Sequence, residues 1–177
     1  SNFSPTGSVT YHWTPDVMTY AQISTGFKGG GINPRPFIPA QVVSFDPETL
    51  TAYEVGAKTE FFDHRLRLNA AAFYNKYNNI QLTVFSCPQY SPSPTFPCFA
   101  PLNAGSADVD GAELELNAFP TSGLELDGSL SYLHFKYTTI SSNVGIPGVR
   151  GVQMGMVPPY TPSWKASFGV QYAIDLG

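Results

Sequence analysis

The sequence predicts an all-β chain, a section of an antiparallel, up-and-down transmembrane β-barrel with about seven strands, short periplasmic turns and long extracellular loops. Three observations predict it. Apolar and polar residues alternate at period two in seven separate stretches, the repeat of a two-faced strand rather than of a helix. The links between those stretches are alternately short and long, as in a barrel whose two rims face different compartments. Aromatic residues stand at the ends of the apolar rows, with Ala, Val, Leu and Gly between them, where a membrane barrel places its girdles.

The elements follow in order. GSVTYHWT is a short, weak strand, and VMTYAQISTGF after it sets Val17, Thr19, Ala21, Ile23 and Phe27 against Tyr20, Gln22 and Ser24. Residues 51–61 oppose Tyr53, Val55, Ala57 and Phe61 to Glu54, Lys58 and Glu60. Residues 66–75 oppose Leu66, Leu68, Ala70, Ala72 and Tyr74 to Arg67, Asn69, Phe73 and Asn75, so the two form a hairpin across FDHR. In 109–118, Ala112, Leu114, Leu116 and Ala118 face away from Gly111, Glu113, Glu115 and Asn117. In 124–133, Leu124, Leu126, Gly128, Leu130 and Tyr132 face away from Glu125, Asp127, Ser129 and Ser131. The last stretch, 164–175, sets Trp164, Ala166, Phe168, Val170, Tyr172 and Ile174 against Lys165, Ser167, Gly169, Gln171 and Asp175. Short turns are predicted at TPD, FDHR and PTSG, and long links near 28–49, 84–107 and 138–162.

Charge follows the same division. Glu54, Lys58, Glu60, Arg67, Glu113, Glu115, Glu125, Asp127, Lys165 and Asp175 fall on the polar rows, and the apolar rows are expected to carry no charge. Both a soluble barrel and a membrane barrel segregate their faces, so the aromatics decide. Tyr53 and Phe61, or Trp164 and Tyr172, are eight residues apart, which at about 3.3 Å rise and roughly 40° tilt spans about 20 Å vertically. That matches a lipid band between two girdles, whereas a soluble core buries its aromatics mid-strand.

Bulk properties agree. The 177 residues are 42% hydrophobic and 12% charged, with a net charge of −4 and no Lys/Arg cluster, so a nucleic-acid partner is not expected. No apolar run approaches the roughly 18 residues of a membrane helix, so contact with a bilayer must be made by strands. Without an initiating Met or a signal segment, the chain is expected to be a piece of a longer one.

TYAQISTGFKGGGIN, ETLTAYEVGAKTEFFDHRLRLNAAAFYNKYNNIQ, NAGSADVDGAELELNAFPTSGLELDGSLSYL and PSWKASFGVQYAIDLG together resemble the barrel of TonB-dependent outer-membrane receptors over nearly the whole chain. The resemblance implies residence in the bacterial outer membrane and a 22-stranded barrel closed by an N-terminal plug. It also implies import of a scarce nutrient, such as a siderophore complex, on energy passed through TonB. No plug or TonB box is present in these residues, so the chain is expected to be a middle section, one partial barrel domain over 1–177. Its expected partners are membrane lipid, the plug and remaining strands, TonB through that plug, and a small metal chelate. Two other classes stay open: a small non-transporting or adhesin-like barrel, and a soluble carbohydrate-binding β-domain.

Family ligands are met by outer loops and lumen wall, which makes Lys28, Arg35, Tyr90, Phe96, Phe99, Arg150 and Tyr160 candidates for an anionic, aromatic or sugar-bearing ligand. Cys87 and Cys98 flank PQYSPSPTFP in a long outer loop and are expected to pair in an oxidising compartment, with two separate thiols as the alternative. The ring would stabilise the loop by roughly 2–3 kcal/mol. Glu113 with Glu115 and Glu125 with Asp127 read as water-facing lining of the wall rather than as the two carboxylates of a glycosidase; no enzyme is expected. His12, His64 and His134 share no ligand spacing, so no metal site or cofactor is expected. GFKGGG leads to INPRP without a helix start and reads as a loop, not a phosphate cradle.

Overall fold

The computed structural model describes residues 3–85, 87–90, 96–142, 145–146 and 150–174. Seven strands form one antiparallel sheet in chain order: β1 (Thr6–Thr14), β2 (Val17–Lys28), β3 (Glu48–Phe61), β4 (Leu66–Asn78), β5 (Gly105–Thr121), β6 (Leu124–Ile140) and β7 (Trp164–Tyr172). Each pairs with its sequence neighbours, so the sheet is the up-and-down meander that the link lengths imply. The turns joining β1 to β2, β3 to β4 and β5 to β6 are tight. At the last, Gly123 has φ +80, and an added Cβ would lie 2.6 Å from the Ala173 carbonyl oxygen; only glycine fits there.

Register carries the alternation across the whole sheet. Ala21, Val55, Ala72, Ala112, Tyr132 and Trp164 are joined rung to rung on one face. Tyr20, Gly56, Ala71, Glu113, Ser131 and Lys165 are joined in the same way on the other. The apolar rows do not pack into a dry centre: Val55 is 56% exposed, Phe168 71% and Trp164 62%. An open face of this extent suits hydrocarbon rather than water. The packed core lies elsewhere, at the end of the sheet that bears the long loops, where Val84, Cys87, Cys98, Ala100, Leu102 and Ala104 cluster.

The strands outrun their alternation. Past Tyr74 and Tyr132, where the pattern predicts strand ends, β4 runs to Asn78, β5 begins at Gly105 and β6 continues to Ile140. Polarity inverts there. Lys76, Asp108, Asp110, His134 and Lys136 continue the apolar rows outward, while the inward positions are Tyr77, Ala107, Val109, Phe135 and Tyr137. Above the aromatic row the outer face meets water and the inner face is covered by folded loops, so the period persists while its phase reverses. Asp110 therefore corrects one expectation: it stands in the row of Ala112 and Leu114, which is not free of charge over 109–118.

The long links are also partly ordered. Gln81–Val84 pairs with Ala100–Asn103, Gly31–Ile32 with Ser44–Phe45, and Gly145–Ile146 with Arg150–Gly151, and Pro39–Gln41 and Pro88–Tyr90 form 3-10 turns. Strand β7 ends at Tyr172; Asp175 lies outside the described residues.

Candidate ligand-facing site

Two loops fold together above the sheet. The β2–β3 loop is held by buried polar side chains. Asn33 Nδ2 donates to the Gln41 carbonyl at 2.8 Å, the Arg35 amide donates to Asn33 Oδ1 at 3.1 Å, and the Phe37 amide donates to Gln41 Oε1 at 2.9 Å. Gln41 Nε2 then donates to the Pro97 carbonyl at 2.9 Å, joining this loop to the β4–β5 loop. Lower down, Asn103 Nδ2 donates to the carbonyls of Asp46 and Asn79, both at 2.9 Å. Gln81 Nε2 donates to the carbonyls of Gly29 at 2.9 Å and Lys28 at 3.3 Å. Side chains satisfy the backbone groups that loops leave unpaired.

The β4–β5 loop is held by its own hairpin and by Cys87 and Cys98, which the structure joins as a disulfide with Cα atoms 6.0 Å apart. Beside it opens a groove of about 660 Å³ lined by Arg35, Phe37, Phe85, Phe99 and three prolines, with Cys98 at its edge. The Arg35 guanidinium lies over the Phe99 ring, 5.6 Å from its centroid, a cation–π contact, and Phe85 meets Phe99 edge to face at 5.6 Å. The site thus offers a fixed cation among aromatic faces.

The sequence candidates divide. Arg35 and Phe99 are brought together. Phe96 is half-buried, and Tyr90 packs against the disulfide cluster, so its ring supports the loop from beneath. Lys28 closes β2 opposite Glu48, and Tyr160 is fully exposed with φ +60; neither lines the groove. Arg150 pairs with Ile146 through its backbone, and its side chain lies outside the described residues. Sequence reading missed Phe37, Phe85, Asn33 and Gln41. Pro34 and Pro36 bracketing Arg35 were the available signal, since prolines hold a short segment extended.

Below the groove, several side chains of the polar face are hydrogen-bonded to one another. The Tyr20 hydroxyl donates to Glu54 Oε1 at 2.6 Å, its ring lying over Gly56, where an added Cβ would come within 2.5 Å of it. Asn69 Nδ2 donates to Glu115 at 3.4 Å, Asn117 Nδ2 to Glu125 at 2.9 Å, and Arg67 pairs with Glu60 at 2.9 Å. Glu115 and Glu125 are thus engaged in a wetted wall. Among the described residues no three His, Cys, Asp or Glu side chains converge as a metal site.

A family model described as TonB dependent receptor-like, beta-barrel, matches residues 1–177. The chain belongs to the TonB-dependent receptor family. Such barrels are bacterial outer-membrane proteins, so the exposed apolar face of this receptor segment meets lipid and its polar face lines the interior. The metal-pseudopaline receptor CntO of Pseudomonas aeruginosa is 29% identical over 160 residues, 90% of this chain and 20% of its own length. The probable TonB-dependent siderophore receptor PiuA of Acinetobacter baumannii is 27% identical over 173 residues, 94% of this chain and 22% of its own. The crystal structure of the ferric yersiniabactin uptake receptor FyuA from Yersinia pestis superposes with a TM-score of 0.73 at 25% identity, covering 96% of this chain and 23% of that one. The segment therefore spans about a fifth of the length of its curated relatives, and these relatives are receptors, not enzymes.

Proposed function

We propose that residues 1–177 are one partial barrel domain, part of the wall of a receptor that captures a metal chelate such as a siderophore complex and imports it. The observation that carries this is the groove at the extracellular rim. Arg35 is held over Phe99 by a loop pair tied through Gln41, and the groove opens above a polar interior face. A chelate with anionic and aromatic groups finds charge from Arg35 and stacking from Phe37, Phe85 and Phe99. The metal-chelate relatives support that ligand class.

The physical role of the wall is containment. Apolar rows anchor it in lipid, and strand pairing satisfies the backbone. The wetted face leaves space for a plug and a passing ligand, with TonB acting through that plug. Strands β1 and β7 are paired on one side only among the described residues. An unpaired edge in hydrocarbon is costly, which favours completion by further strands over a small self-contained barrel.

The test uses the purified receptor carrying this segment and measures intrinsic fluorescence quenching by ferric catecholate, ferric hydroxamate and zinc carboxylate chelates. One class is expected to bind, and Arg35→Ala and Phe99→Ala are each expected to weaken it roughly tenfold, the equivalent of about 1.4 kcal/mol. Binding that both variants leave intact would remove the groove from the capture site.

A further inference from the structure

The extracellular link from β6 to β7 ends in GVQMGMVPPYTPS, residues 151–163, a stretch without a charged residue, a histidine or a cysteine. It is held at both ends. Val152 packs against the cluster around the Cys87–Cys98 disulfide, and the Ser163 carbonyl accepts the Leu133 amide at 2.9 Å. Between these anchors the backbone reverses at residues 153–156. The Met156 amide donates to the Gln153 carbonyl at 3.2 Å, and Gly155 takes φ +85, as a tight turn with positive φ at its third residue requires. Met154 and Met156 stand on either side of that glycine, 57% and 45% exposed.

Methionine ordinarily fills gaps in packed interiors, and the third one, Met18, is half-buried in β2. At this turn two thioethers are instead offered to solvent. A Cβ added to Gly155 would meet nothing within 4 Å, so the space around the turn is open. Two residues of chain span at most about 7 Å, and each methionine stem has three rotatable bonds, so both Sδ atoms can reach one ion. A thioether is a soft, uncharged donor suited to Cu(I), whereas magnesium and calcium ask for oxygen. The same stretch lacks the carboxylate and imidazole groups that would favour zinc or Cu(II). The two thiols of the chain, its strongest soft ligands, are joined to each other and do not compete.

We propose that the 153–156 turn binds one soft monovalent cation, Cu(I) or Ag(I), between the Sδ atoms of Met154 and Met156, with solvent completing the coordination. The neutral donors select for softness rather than charge. The site is separate from the Arg35 groove and does not depend on which chelate the receptor takes.

The receptor carrying this segment, purified in mild detergent with isotope-labelled methionine methyls, is titrated in chloride-free buffer with Ag(I), with Cu(I) kept reduced by ascorbate, and with Zn(II). Ag(I) and Cu(I) are each expected to shift the methyl signals of Met154 and Met156 together, saturating at one ion for the pair, while Zn(II) leaves both in place. Met154→Leu and Met156→Leu keep the apolar bulk and remove one sulfur each, so each should weaken binding roughly tenfold. Met18→Leu should leave it unchanged. Because a thioether carries no proton, affinity should stay level between about pH 5 and 8, a range in which an imidazole site loses its metal as the ring protonates. Movement of one methyl without the other, binding that survives both leucine substitutions, or signals unmoved by millimolar Ag(I) overturns the proposal. An equal response to Zn(II), or affinity that falls with acid, overturns it as well and assigns the ion to a histidine elsewhere.

Discussion

His64 sits in the turn between β3 and β4, where Phe62, Asp63 and His64 all have positive φ, from 55 to 64, a conformation L residues adopt at some cost. Its Nδ1 is bonded to Glu60 Oε2, and that carboxylate also takes Arg67 from across the hairpin. The hydrogen bond that His64 donates to the Glu60 carboxylate, then that carboxylate's charge, hold the His64 pKa above the ordinary histidine value. A raised folded pKa means that protonated His64 stabilises the turn fully below the unfolded value of about 6.5. That contribution fades as pH rises through the folded value. A proton NMR titration of His64 should give a midpoint above that of a free histidine, returning to it in Glu60→Gln. An unchanged midpoint in that variant would mean that the pair does not persist in solution.

At the scale of elements, the two loops are tied to each other through a few buried polar groups beside the apolar cluster of the β4–β5 loop. Gln41 has no exposed surface and spans 56 residues of sequence to reach Pro97. Gln41→Ala leaves the Phe37 amide and the Pro97 carbonyl without this partner, a local cost of about 1–3 kcal/mol. It should appear as faster hydrogen exchange at Phe37 and Val43 with the sheet amides unchanged. Cys87→Ser with Cys98→Ser should loosen the β4–β5 loop by roughly 2–3 kcal/mol and raise protease cleavage there, while strand signals stay in place. If both variants leave loop exchange unaltered, Arg35 and Phe99 are positioned by something other than these ties.

For the whole molecule, the decisive quantity is which face meets hydrocarbon. Ala70 and Ala71 are adjacent on β4 and point to opposite sides, Ala70 beside Ala57 and Leu114, Ala71 beside Gly56 and Glu113. Arginine at mid-depth on a lipid face costs about 2–4 kcal/mol, and far less in a wet lumen. Ala70→Arg should therefore lower stability in lipid vesicles by that amount in urea titrations, and Ala71→Arg by much less. Reversed costs would put the apolar rows inside.

The sequence by itself determined the strands, the tight turns and the division into two faces, because a period-two row records in each residue which solvent its side chain meets. It also marked Arg35 and Phe99 as chemically apt. Two things were decided only in three dimensions. The alternation changes phase past Tyr74 and Tyr132, so reading the outer ends of β4, β5 and β6 required knowing where the membrane stops. The groove required Gln41 to meet Pro97 and Cys87 to meet Cys98, contacts between segments whose spacing in sequence says nothing of their paths. Local solvation is written along the chain; the meeting of distant loops is set by the backbone between them.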